Sequence, residues 1–145
     1  MKPTILIVDG HSIIFQWVEL AIQHAKKGML ARETLSKILR DFQDNTDWHI
    51  VLVFDGKGAT ASESSEKNGI QVFYSKSGQT ADSVIERLVA KYAGKYDVTV
   101  ATDDGLERTT VESFGAGTMS SRHLREAIQA ADRGLEERLE KLRRR

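Results

Sequence analysis

Short apolar runs alternate along the chain with longer segments whose apolar residues recur every three or four positions. Three runs, at 4–8, 50–54 and 98–101, are rich in β-branched residues and lack polar alternation. Such runs are typical of strands that are buried on both faces. The half-alternating run at 70–74 predicts a less central strand, and 117–119 predicts a short fifth strand.

The segments between these runs have helical periodicity. Apolar stripes cover 13–25 and 35–42, with Gly28 between them. Thr80 is placed to cap a third helix, a weaker one is predicted over 106–114, and another opens at Ser120 or Ser121 and continues past Gly134. Strands that alternate with helices predict right-handed crossovers, and hence a three-layer α/β/α domain with a mostly parallel central sheet of four to five strands.

The chain of 145 residues is long enough for one hydrophobic core. We expect a domain at 1–132 and a basic helical tail at 133–145, because from Ser121 onward eight basic residues face five acidic ones, whereas 1–120 carries 13 basic and 16 acidic residues. The stretch 57–68, rich in Gly, Ser, Ala and Glu, predicts a mobile loop beside a site.

Composition excludes several kinds of site. There are no cysteines, so disulfides and thiolate zinc sites are ruled out, and the four histidines are too scattered for a local ligand pair. No apolar run reaches the roughly 18 residues of a membrane span, and no signal-type segment opens the chain, so we expect a cytoplasmic protein without membrane contact. The net charge of zero gives no argument for nucleic-acid binding.

Aspartates follow each of the three most apolar runs: Asp9, Asp55, and the pair Asp103 and Asp104. Carboxyl ends of parallel strands are where open α/β sheets bind ligands. Asp82 and Glu86 lie four residues apart on the third helix and therefore share a face.

Each of these aspartates alone would more often be a turn residue or a helix cap, so the prediction rests on their convergence. Carboxylates gathered in one cleft repel one another, and a hard cation such as Mg²⁺ or Mn²⁺ removes that conflict. Since Asp103 and Asp104 cannot both point the same way in an extended segment, we expect one of them to be a cap or a supporting group.

Four segments carry a family resemblance, at 5–14, 53–56, 78–88 and 98–107. In order and spacing they resemble the NYN domains of the PIN-like nuclease superfamily, and the YacP-like bacterial branch in particular, with Thr80-Ala81-Asp82 and the Ile85-Glu86 pair as the most specific part. The resemblance implies a metal-dependent endoribonuclease that hydrolyses RNA phosphodiester bonds with Mg²⁺ or Mn²⁺, and ribosome-associated mRNA is a candidate substrate.

The resemblance also implies site residues. Asp9, Asp82 and Asp104 would be the catalytic metal ligands, with Asp55 and Asp103 as supporting ligands. The family's Asp-Gly-Tyr-Asn is replaced here by Asp9 to Ser12, which puts His11 and Ser12 where an aromatic ring and an amide are usual. Candidate substrate-binding residues are His11, Ser12, Thr80, Glu86, Arg87, Arg108 and Arg122, with weaker candidates in Arg125 and the loop residues Lys57 and Lys76. We expect Trp17 and Trp48 to pack in the core.

Two other functions compete with this interpretation. A response-regulator receiver should have an acidic pair after its first strand and a Lys-Pro after its last, whereas this chain has Asp9-Gly10 and a single proline, Pro3. An NYN-fold adaptor that binds RNA or the ribosome without cleaving would keep the fold and lose the metal. The second alternative stays open from the sequence alone.

Overall fold

The computed structural model describes residues 2–56, 64–67, 69–76 and 78–144, with the backbone alone described at 64–67. The elements follow the chain as β1 (Thr4–Asp9), α1 (Gly10–Gln16), α2 (Val18–Lys26), α3 (Gly28–Asp44), β2 (His49–Phe54), β3 (Ser64–Lys67), β4 (Ile70–Tyr74), α4 (Ala81–Tyr92), β5 (Asp97–Ala101), α5 (Gly105–Ser113), β6 (Gly117–Met119) and α6 (Ser121–Arg143).

The strands form one sheet in the order β3-β4-β2-β1-β5-β6. Five of them run parallel, and β3 pairs antiparallel with β4 at the edge. The predicted mostly parallel sheet is thus confirmed, with one strand more than expected. That strand lies in the stretch predicted as a loop, so the loop prediction is wrong for 64–67. The rest of the predicted loop, including Lys57, lies outside the described residues.

Helices cover both faces of the sheet, which confirms three layers. Leu6 and Val8 of β1 are fully buried on the face covered by α1, α2, α3 and α6, while Ile7 is fully buried on the face covered by α4 and α5. Trp17 and Trp48 both pack in the first of these cores, as predicted. Successive side chains of a strand point to opposite faces of the sheet, so one apolar run contributes residues to both hydrophobic cores.

One helix differs from its predicted form, and another confirms it. The stripe at 13–25 is split at Trp17, whose backbone is extended and whose indole Nε1 donates to the Ser121 carbonyl at 3.2 Å. In contrast, α6 continues without a break through Gly134, so the boundary of the predicted basic tail at residue 133 stays a prediction. None of the described helices is both long and apolar enough to cross a membrane.

Candidate active site

The carboxyl ends of β1 and β5 lie side by side at the centre of the sheet, with Val8 opposite Ala101. After β1 the chain adds β2 and then β4 on one side of β1. It then crosses back to add β5 and β6 on the other side, so the strand order reverses at β1. Such a reversal opens a crevice outside the strand ends, where α/β proteins bind ligands.

Asp9 ends β1 at the bottom of this crevice and is 7% exposed. Its Oδ2 accepts a hydrogen bond from Thr102 Oγ1 at 3.1 Å. Burial raises the pKa of Asp9, and the hydrogen bonds from Thr102 and Ser12 oppose the rise. Among the described residues, neutral donors hold Asp9 in place, and no cationic side chain pairs with it.

Asp82 reaches the same crevice from the first turn of α4, which Thr80 caps by accepting the Ser83 N–H at 3.2 Å. Partial burial, followed by the negative charges of Asp9 and Asp104 and then of Glu86, raises the pKa of Asp82 to about 6. Three separate stretches of chain thus bring carboxylates close enough to hinder the ionisation of Asp82.

Asp103 and Asp104 both act as caps, but for different helices. Asp104 Oδ1 accepts the backbone N–H groups of Leu106 and Glu107, at 3.0 and 3.2 Å, at the start of α5. Asp103 uses both oxygens on Ser121, at 2.8 Å to the backbone nitrogen and 2.5 Å to Oγ, at the start of α6. Asp103 therefore has both oxygens engaged, whereas the second oxygen of Asp104 accepts no hydrogen bond from the described residues.

Asp55 joins two elements at the wall of the crevice. Its Oδ1 accepts the Ala81 N–H at 2.7 Å, which ties the end of β2 to the start of α4, and its Oδ2 lies 3.7 Å from His11 Nδ1. Burial lowers the pKa of His11, against the opposing effect of the Asp55 carboxylate. Ser12 Oγ lies 3.3 Å from Thr102 Oγ1 and accepts the Asp103 N–H at 3.3 Å, so it links α1 to the β5–α5 loop.

These side chains line an open cleft of about 490 Å³, which we call the acidic cleft: Asp9, His11, Ser12, Phe15, Gln16, Asp55, Thr80, Ala81, Asp82, Asp103 and Asp104. All five predicted metal ligands and three predicted substrate-binding residues meet there.

The other predicted substrate-binding residues do not line the acidic cleft. Arg87 donates to Gln79 Oε1 and Arg108 donates to Thr118 Oγ1, both at 3.3 Å. Arg122 lies with Arg125 in a neighbouring α2–α6 groove, formed by Gln16, Trp17, Val18, Glu19, Ser121, Arg122, Arg125, Glu126 and Gln129. Glu86 stays close enough to raise the pKa of Asp82 without lining the cleft.

Glu107 is the site residue that sequence reasoning missed. It is 4% exposed on the buried face of α5, and its Oε1 has no hydrogen-bond partner among the described residues. Burial, and then the charges of Asp82 and Glu86, raise its pKa to about 8. A signal was present, because Asp104 and Glu107 have the spacing of a helix cap and its third residue, and Glu107 shares the helical face of Val111.

The donor set suits a hard divalent cation. Its side chains offer carboxylate oxygens, and their raised pKa values are of the kind that a cation would reverse. Within the described ranges, no three His, Asp or Glu side chains stand close enough as placed to share one ion. The chemistry therefore fits Mg²⁺ or Mn²⁺, and the side chains would have to close in on the ion.

The chain belongs to the YacP-like NYN domains, whose family model matches residues 6–145. This membership supports a nuclease-type function that is related to RNA.

One similar protein is YacP of Bacillus subtilis (strain 168), which is 29% identical over 140 residues that cover 95% of this chain and 82% of YacP. The crystal structure of Rae1 (YacP) from the same organism superposes with a TM-score of 0.79 at 28% identity, covering 95% of this chain and 80% of that one. Its W164L mutant gives a TM-score of 0.81 at 29% identity, with 95% and 82% covered.

Proposed function

We propose that the protein is a metal-dependent endoribonuclease of the cytoplasm that hydrolyses RNA phosphodiester bonds in the acidic cleft. The observation that carries the proposal is the convergence of Asp9, Asp82 and Asp104 on one cleft, where burial and the charges of Asp9 and Asp104 raise the pKa of Asp82 to about 6. Gathering like charges in a partly dehydrated cleft costs free energy, and that cost marks functional sites.

In this proposal Asp9, Asp82 and Asp104 hold Mg²⁺ or Mn²⁺. When bound, the cation supplies charge neutralisation at the phosphate and lowers the pKa of a bound water. Thr102 orients Asp9 through its hydroxyl, and Asp55 fixes the start of α4 and hence Asp82. With a pKa of about 8, Glu107 is mostly protonated at pH 7 and adds little repulsion until a cation is present.

The substrate backbone would lie over the cleft floor, where the hydroxyls of Ser12 and Thr80 can meet phosphate or ribose oxygens. Arg87, Arg108 and Arg122 lie outside the cleft and would reach only flanking phosphates. Ribosome-associated mRNA is part of the proposal as the form in which the substrate is presented.

The test is cleavage of single-stranded and structured RNA in Mg²⁺, Mn²⁺ or EDTA by the wild type and by Asp82→Asn. The matched control is Asp97→Asn, which makes the same change at an exposed aspartate on the amino end of β5. We expect internal cuts that require metal, a loss of roughly 100-fold or more in Asp82→Asn, and unchanged rates in Asp97→Asn.

Equal cutting by Asp82→Asn and the wild type would overturn the proposal. RNA binding without metal-dependent cleavage would instead identify a non-catalytic adaptor with the NYN fold. Running the same assay on ribosome-bound mRNA and on the free RNA separates a requirement for the ribosome from a lack of activity.

A further inference from the structure

Phe15 is a large apolar side chain in the wall of a cleft that is lined mainly by polar residues. It is 56% exposed and lines the acidic cleft together with Asp9 and Asp82. Its neighbours Ile13 and Ile14 are fully buried. Because α1 turns its apolar stripe toward the core, Phe15 falls on the side that faces away from it.

Two other rings hold Phe15 in position. Its ring stacks on His11 with centroids 6.0 Å apart and an interplanar angle of 27°, and it meets His24 edge to face at 5.0 Å and 83°. His11 in turn packs against Phe54 at 5.9 Å. Gly10 allows this approach, because a Cβ there would lie 2.2 Å from Phe54 Cε1. Phe15 is therefore held by rings on two sides, although its outer part is open to water.

Phe15 lies next to the carboxylates. His11 follows Asp9 by two residues, and Phe15 lies one helical turn beyond His11, which is about 6 Å along α1. The Nδ1 atoms of His11 and His24, on the two neighbours of Phe15, have no hydrogen-bond partner among the described residues. These nitrogens are buried, so a flat ligand would meet the open part of the Phe15 ring rather than the nitrogens.

We propose that Phe15 is the stacking platform for one unpaired nucleobase next to the phosphate held at the acidic cleft. The inference rests on the proposed function and names the subsite that favours single-stranded RNA. Every base has a π-face, so the subsite accepts different bases, but a base inside a duplex is stacked on its neighbours and cannot offer that face.

The experiment measures binding without cleavage, with Asp82 intact and with Ca²⁺ in place of Mg²⁺ or Mn²⁺, so that a cation can occupy the acidic cleft. The probe is a short RNA with one 2-aminopurine, either single-stranded or annealed to its complement, followed by anisotropy and by 2-aminopurine fluorescence. The variants are Phe15→Ala, Phe15→Trp and, as matched control, Phe114→Ala, which removes a ring of similar exposure at the far end of α5.

We expect Phe15→Ala to weaken single-strand binding by roughly 5- to 100-fold, to abolish the quenching of 2-aminopurine, and to leave duplex affinity unchanged. Phe15→Trp should retain both binding and quenching, and Phe114→Ala should match the parent.

The inference is overturned if Phe15→Ala binds the single strand as the parent does, or weakens single strand and duplex equally. Its failure differs from failure of the proposed function. Metal-dependent cleavage at parental rates by Phe15→Ala with Asp82 intact would refute the platform alone, whereas Phe15-dependent binding without wild-type cleavage would refute the nuclease alone.

Discussion

The acidic cleft and the α2–α6 groove are neighbours that share Gln16. The groove pairs opposite charges, whereas the cleft gathers like charges. In the groove, Arg125 forms an ion pair with Glu19 and lies 4.9 Å above the Trp17 ring. Although partial burial works the other way, the hydrogen bond from Arg125 leaves the pKa of Glu19 below its usual value. In the cleft, burial and like charges raise pKa values instead.

The difference separates two uses of charged residues. Paired charges in the groove lower the free energy of the fold slightly, as partly exposed ion pairs do. Unpaired carboxylates in the cleft raise the free energy of the fold. Such a cost is typical of functional sites, where a bound ligand offsets it. The comparison can be tested by removing charge from each region in turn.

The largest effect is expected at the cleft floor, where Asp9→Asn should lower the single-turnover cleavage rate by about 100-fold or more. The amide can still accept the Thr102 hydrogen bond, so melting at pH 8 should show no loss of stability. The control is Glu19→Gln, the same removal of charge in the groove, which should cut at the wild-type rate. Equal losses of cleavage rate in both variants would mean that the charge of Asp9 has no particular role in cleavage.

Next in size is the effect of pH on stability without metal. Between pH 4.5 and about 8 native Glu107 binds more protons than unfolded Glu107, so stability should fall as pH rises through this window. Glu107→Gln removes this loss. In EDTA we expect its melting temperature to equal that of the wild type near pH 4 and to exceed it by several degrees near pH 9.

Divalent cation supplies the control for that prediction. At pH 8, Mn²⁺ should raise the melting temperature of the wild type but not that of Asp82→Asn. If Glu107→Gln melts at a lower temperature than the wild type at every pH, the carboxyl group stabilises the fold. The prediction that ionised Glu107 destabilises it is then wrong.

A smaller effect is expected at Asp103. Its two hydrogen bonds to Ser121 hold the start of α6, so Asp103→Ala should destabilise the fold by about 1–2 kcal/mol, measured by urea unfolding. Manganese affinity per folded molecule should change little. A loss of affinity as large as that in Asp104→Ala would make Asp103 a direct ligand.

The smallest effect is expected in the groove itself. Glu19→Gln leaves Arg125 over Trp17 and removes only the partly exposed ion pair, so we expect a loss of less than about 1 kcal/mol. A double-mutant cycle with Arg125→Gln measures the coupling, and added salt should reduce it. A coupling of several kcal/mol would contradict the view that this pair is marginal.

The sequence predicted the layers and the cleft because both follow from local pattern. Apolar runs such as that of β1 identify buried strands, and an aspartate placed after each run must reach the same edge when the strands are parallel. Thr80 was predicted as the cap of α4 from its position alone, and the structure confirms it.

The remaining features depend on contacts that are distant in sequence. The residues of β3 are polar and show no alternation of apolar positions. They form a strand because their backbone pairs with β4. No glycine or proline at Trp17 predicts the break between α1 and α2. The break accompanies a hydrogen bond from the Trp17 indole to the Ser121 carbonyl, 104 residues away. Glu107 has a favourable local pattern, but its burial among carboxylates of α4 and β1 is visible only in three dimensions.

The bond between Asp55 and the Ala81 amide joins residues 26 positions apart. The start of α4, and with it Asp82, therefore depends on the tip of β2 as well as on the chain that enters the helix from β4. A substitution that shifts the end of β2 would move Asp82 without touching α4 itself.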